Sequence, residues 1–161
     1  MKLLLILSIL IITNSIHSLS QEVRIKKHLK EFQNSTVYLC KDSTEMFGDV
    51  STMRLKKDSF IVVNQFNSGF GGKKIEIIIS NKLKITKIDY YMSYDVVISG
   101  EEITYSVEKP SVELNINPFK KGLKQLKGKY IFTVVEKTLN ENKFPIRTST
   151  YQFQANFKYF K

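Results

Sequence analysis

From residue 36 onward, apolar and polar positions alternate with a period of two. The clearest run is the last. Tyr151, Phe153, Ala155, Phe157 and Tyr159 fall on one side, and Thr150, Gln152, Gln154, Asn156 and Lys158 fall on the other. Successive side chains of a strand point to opposite faces, so this pattern predicts a half-buried antiparallel strand. Ile75, Ile77 and Ile79 repeat it, as do Ile103, Tyr105 and Val107, and Val112, Leu114 and Ile116. The predicted strands are 36–40, 51–55, 59–65, 73–80, 83–91, 94–99, 102–108, 111–116, 129–137 and 147–159. Turn signals separate them: Asn81-Lys82, Gly100-Glu101, Pro110, and Asn140 to Asn142 before Pro145. Strands at such short, regular spacing predict an all-β sandwich or barrel, not βαβ units.

Two segments break the period. In "EVRIKKHLKEFQ" (22–33), Ile25, Leu29 and Phe32 recur at helical spacing opposite Lys26, Lys27 and Lys30, which predicts a short N-terminal helix. In "NPFKKGLKQLKGK" (117–129), Asn117 suits an N-cap, Pro118 a first helical position and Gly128 a C-cap. Phe119, Leu123 and Leu126 share one face there. The reading is a short basic helix near 118–127, although Gly122 weakens it by about 1 kcal/mol relative to Ala. Two folds fit eight to ten antiparallel strands. The first expectation is an up-and-down, lipocalin-like barrel, on strand number and chain length. The other is a two-sheet sandwich. The lipocalin G-x-W signature is absent, as is every Trp.

The first twenty residues differ in kind. Lys2 precedes an apolar run, Leu3 to Ile12, and Ser18 and Ser20 place small residues before Gln21. That is the layout of a secretory signal peptide. The run is about half the ~20 residues of a spanning helix. The ending "SLSQ" resembles export signals common in Bacteroidota. The expectation is an exported protein, periplasmic or extracellular, with one β domain over 21–161 and no transmembrane helix once the signal is removed.

Composition then narrows the chemistry. Cys40 is the single cysteine, so an intramolecular disulfide is ruled out and the core alone must hold the fold. Cys40 reads as a buried inert thiol on a strand, with a mixed disulfide to a partner as the alternative. Apart from His17 in the leader, His28 is the only histidine, which disfavours zinc sets and Ser-His-Asp hydrolysis. "DSTEMFGD" (42–49) lacks the spacing of a calcium loop and reads as a polar loop. Carboxylate-only or Ser-Lys chemistry has nothing in the sequence to support it. No cofactor is implied. Asn34-Ser35-Thr36 matches a glycosylation sequon that matters only in a eukaryotic secretory pathway.

The stretch "NSGFGGKKIEIIIS" (67–80) invites a phosphate-site reading and fails it. A Walker loop needs Gly at 67 and Ser or Thr at 74, where Asn67 and Lys74 stand. A dinucleotide fingerprint needs a third Gly, again at Lys74. Both motifs also open a helix, and here three isoleucines at period two follow, so the glycines read as a turn between strands.

Two binding candidates remain. Lys120, Lys121, Lys124, Lys127 and Lys129 lie within ten residues without an acid, in a chain of net charge +10. Such a patch attracts headgroups or other anionic partners, or is simply a solvated face of a basic protein. "DYYMSYD" (89–95) offers Tyr90, Tyr91 and Tyr94 as a ligand mouth, or as ordinary strand residues. Nucleic acid is disfavoured, because the aromatic residues sit at core positions and the chain is exported. The leading expectation is a non-enzymatic exported binding protein for a small apolar ligand or an anionic envelope component. The alternative is a protein-interaction module (an inhibitor, immunity or envelope scaffold protein) that uses an exposed sheet face. An enzyme ranks last.

Overall fold

The architecture comes from a computed structural model, which describes residues 21–30, 36–40, 45–46, 49–68, 71–94 and 102–161. The strands are β1 (Arg24–Ile25), β2 (Thr36–Cys40), β3 (Glu45–Met46), β4 (Asp49–Leu55), β5 (Ser59–Ser68), β6 (Gly71–Ser80), β7 (Ile85–Tyr94), β8 (Glu102–Leu114), β9 (Gln125–Leu139) and β10 (Pro145–Phe160). Sheet one has the order β1-β8-β9-β10-β2-β3, and sheet two is the meander β4-β5-β6-β7. All pairings are antiparallel except β1 with β8. The sheets do not close into a barrel. The first expectation, a lipocalin-like barrel, is therefore corrected to the two-sheet sandwich.

The alternating positions meet between the sheets. Phe60 and Val62 of β5, Ile75, Ile77 and Ile79 of β6, and Ile85, Ile88 and Tyr90 of β7 pack from one side. Val112 and Leu114 of β8, Leu126, Tyr130, Phe132 and Val134 of β9, and Tyr151, Phe153, Ala155 and Phe157 of β10 pack from the other. The rings of Tyr130, Phe132 and Phe153 stack in series, with centroids 5.4 and 5.5 Å apart. Aromatic bodies thus form the centre of the described core.

Two bulges set the phase of this core. Ile79 pairs with Ile85 but Ile78 with Lys87, so Thr86 is the extra residue and both Ile85 and Ile88 face inward. In β8, Glu108 pairs with Thr133 and Ser111 with Ile131. Lys109, at φ 48°, and Pro110 share the extra place. Pro110 was expected to separate two strands. Instead one strand runs through it, and the bulge flips the phase between Tyr105 or Val107 and Val112 or Leu114. Proline is tolerated there because a bulge leaves a ladder position without a required N–H.

Neither predicted helix forms among the described residues. The 21–26 backbone is an extended strap across both sheets, followed by a bend at 27–28. Val23 N–H donates to the Leu83 carbonyl (2.8 Å) in the β6–β7 turn, and Ile85 N–H of β7 donates to that of Gln21 (3.0 Å). Lys26 N–H donates to the Leu114 carbonyl (2.8 Å) in sheet one. Extension buries Val23 and leaves Ile25 43% exposed, the reverse of the helical expectation. Strand pairing at both ends outweighs a short helix's weak propensity. Phe32 lies outside the described residues.

At 117–124 the backbone makes two turns. Asn117 Oδ1 accepts the Phe119 N–H (2.8 Å), Lys120 N–H donates to the Asn117 carbonyl (3.2 Å) and Leu123 N–H to that of Lys120 (3.3 Å). Gly122 sits at φ 73°, a left-handed conformation that ends any helix. Leu123 and Leu126 are buried as the apolar spacing required, but Leu126 already belongs to β9. Gly128 is a strand residue, not a cap.

Candidate functional site

The sandwich has two chemically different ends. The first holds the 117–124 turns, the strap and the C-terminus. Lys120, Lys121 and Lys124 are exposed on the turns. Lys161 N–H donates to the Lys124 carbonyl (3.2 Å), which pins the last residue beside them. In the β9–β10 ladder Lys127 stands directly opposite Lys158, on the outer face of sheet one. Phe160, opposite Gln125, is 67% exposed at the same edge. Residues 114–135 and 142–161 contain no Asp or Glu.

Lys129 belongs to a different arrangement. It pairs across the ladder with Glu113, its Nζ 3.1 Å from Oε2, while Lys26 Nζ lies 2.5 Å from Oε1. Burial pushes the Glu113 carboxyl up, but hydrogen bonds from Lys26 and Lys129 and their charges outweigh it and leave the group below its ordinary value. This triad ties the strap to β8 and β9. Of the five lysines picked out in the sequence, Lys120, Lys121 and Lys124 cluster in solvent, Lys127 joins them through β9, and Lys129 is occupied by Glu113. Lys158 and Lys161 were missed because only strand pairing and the backbone bond to Lys124 bring them there.

The second end holds the β5–β6 and β9–β10 hairpins. The glycine-rich stretch is a hairpin, as its sequence indicated: β5 ends at Ser68, β6 starts at Gly71, and Lys73 and Lys74 lie in β6. Tyr90 and Tyr91 of β7 face opposite sides of the sheet. Tyr90 is buried, its ring edge-on to Tyr105 (centroids 5.1 Å) and tilted against Phe153 (5.7 Å). Tyr91 is on the opposite face, 47% exposed, with Lys74 Nζ 5.6 Å from its ring centroid. Tyr94 pairs with Gly71. Period two places Tyr90 and Tyr91 on opposite faces.

Sequence reading also missed Glu136 in this region. It continues the inward series Tyr130, Phe132, Val134 and is 6% exposed. Tyr151 Oη donates to Glu136 Oε1 (3.3 Å), and Tyr105 stands opposite it in the β8–β9 ladder. The signal was available: a carboxylate at an inward position of an otherwise apolar alternation. Among the described residues no group of three metal-binding side chains occurs, and no helix is long and apolar enough to cross a membrane. Cys40 lies in β2, paired with Tyr151.

No family model, curated protein or solved structure matches this chain.

Proposed function

We propose that the chain is an exported, non-enzymatic binding protein that docks an anionic, phosphate-bearing surface on its basic end. The observation that carries this reading is the Lys127–Lys158 juxtaposition in stretches of sequence, 114–135 and 142–161, that contain no Asp or Glu. Lys120, Lys121, Lys124 and Lys161 extend the field, and exposed Phe160 adds an apolar contact of the kind that enters a headgroup layer. The small-apolar-ligand version has less to draw on, because aromatic and aliphatic side chains occupy the described space between the sheets.

The test is sedimentation with anionic and with zwitterionic vesicles at low and raised salt, with soluble polyphosphate as competitor. Each lysine near an anionic surface contributes about 1 kcal/mol. The triple variant Lys120→Gln, Lys121→Gln, Lys124→Gln should therefore lose about a hundredfold in affinity, and salt should weaken the wild type steeply. Competition by polyphosphate would identify phosphate rather than the bilayer as the recognised chemistry. Equal binding to zwitterionic vesicles, or indifference to both salt and the triple variant, refutes the reading. The second reading, a protein-interaction module, draws on the outer face of sheet two, where Ile61 and Ile78 are neighbours and Tyr91 is exposed.

A further inference from the structure

The basic end offers backbone donors as well as charge. Lys120 to Leu123 form a tight turn, in which Leu123 N–H donates to the Lys120 carbonyl (3.3 Å). The turn before it uses the Phe119 and Lys120 N–H groups, which donate to Asn117 Oδ1 (2.8 Å) and to the Asn117 carbonyl (3.2 Å). The N–H groups of Lys121 and Gly122 lie between these bonds, and neither has an acceptor among the described residues. Both residues are exposed.

Gly122 shows that there is room at this turn. A Cβ built on it meets no atom within 4 Å, so no packing contact calls for glycine there. The reason is the backbone: Gly122 has φ 73°, and it alone in this turn is positive. Successive N–H groups in a turn of this kind form a concavity that takes an anion. The side chains beside it have the matching sign. Lys120, Lys121 and Lys124 are all exposed, and the backbone bond from Lys161 N–H to the Lys124 carbonyl (3.2 Å) brings the last lysine alongside. A phosphodiester offers two free oxygens and one negative charge. A phosphomonoester offers three strong acceptor oxygens and a charge of about −1.5 to −2 at neutral pH. Two N–H donors among three ammonium groups suit the second better.

We infer that the Lys120–Lys124 turn is a discrete site for a phosphomonoester group. The N–H groups of Lys121 and Gly122 donate to its oxygens, and the ammonium groups of Lys120, Lys121 and Lys124 supply the counter-charge. This rests on the anion-docking reading and narrows it, from any anionic surface to one chemical head.

The experiment titrates the full chain with methyl phosphate, dimethyl phosphate and succinate at matched ionic strength, following backbone amide resonances. Methyl phosphate should shift the Lys121 and Gly122 amides saturably, and the other two should not. Vesicles of phosphatidic acid should bind about tenfold more tightly than vesicles of phosphatidylglycerol at equal surface charge. Two variants of unchanged charge test the turn. Gly122→Asn tolerates a positive φ and should keep the preference. Gly122→Val does not and should lose it. Methyl phosphate binding without vesicle binding would assign the site to a soluble phosphomonoester rather than a lipid head. Tight, salt-sensitive and equal binding of both vesicles overturns the site and leaves anion docking standing. So does a succinate response equal to that of methyl phosphate, or a folded Gly122→Val protein that keeps the preference. Binding of no phosphate, free or in a vesicle, overturns both.

Discussion

Adding one methyl group at Gly128 tests the packing between β8, β9 and β10. Gly128 pairs with Leu114 on one side and Phe157 on the other, and the Phe157 ring covers it. A Cβ there would lie 2.5 Å from Phe157 Cε2, closer still to Cζ, and 2.8 Å from Leu114 Cδ2. The ring cannot swing away freely. Phe157 is 3% exposed, and the Phe60 ring, 6.3 Å from it, is itself braced by Tyr159 at 5.7 Å. Overpacking of this kind costs about 1–3 kcal/mol. Replacing a strand glycine recovers roughly 0.5–1 kcal/mol of backbone entropy. Gly128→Ala should therefore lose about 1–2 kcal/mol, a fall in Tm of roughly 3–10 °C for a domain of this size.

Urea unfolding followed by far-UV circular dichroism and tyrosine emission measures the change, since the chain has no Trp. The midpoint should fall with an unchanged slope. A double-mutant cycle isolates the cause. In a Phe157→Leu background the same alanine should cost under about 0.5 kcal/mol, a coupling of at least about 1 kcal/mol. A Gly128→Ala protein as stable as the wild type would refute the reasoning. An identical cost in both backgrounds would do the same, by placing the strain in the backbone rather than under the ring.

Two further perturbations address the buried polar groups. Tyr130 Oη accepts a hydrogen bond from Asn64 Nδ2 inside the core, so Tyr130→Phe should cost about 1–3 kcal/mol by orphaning the amide, read from the urea midpoint at pH 7. Burial, opposed only by the Asn64 hydrogen bond, pushes the Tyr130 phenol far above its ordinary 10.0. Its stabilisation is therefore complete below pH 10 and lost as pH rises past it, at about 1.4 kcal/mol per pH unit. The alkaline loss should be shallower in Tyr130→Phe. The Glu113 carboxyl is shifted the other way, below 4.5, so its contribution is present above that pH and lost as pH falls through the folded value. Glu113→Gln should cost about 1–2 kcal/mol at pH 7 and flatten the acid limb, and parallel acid limbs in the two proteins would contradict the triad.

Strand identity was legible because burial on one face writes itself into alternate residues. Tyr151 to Tyr159 and Ile75 to Ile79 needed no other information. The helical misreadings share a physical origin. Ile25 and Leu29, and Phe119, Leu123 and Leu126, carry apolar spacing that a helix would use, but spacing does not reveal which backbone groups have partners nearby. The strap gives its N–H groups to Leu83 and Leu114, and these contacts exist only after both sheets are assembled. Leu126 is claimed by β9, whose ladder to β8 and β10 offers more hydrogen bonds than a two-turn helix interrupted by Gly122. Barrel and sandwich differ only in whether the sheet edges meet, and each gives the same alternation.

The sites were legible only as far as they are local. Three lysines of the basic end sit on consecutive turns and show as a run. Lys158 lies thirty-one positions from Lys127, and only the β9–β10 register makes them neighbours. The tyrosine run in β7 misled for the opposite reason: adjacency along a strand sends side chains to opposite faces, so Tyr90 gains Tyr105 and loses Tyr91. The register also separates the two ends electrostatically. β9 begins among Lys124, Lys127 and Lys129 and reaches Glu136 near its other end, so one strand carries cationic groups to one end of the core and a carboxylate to the other.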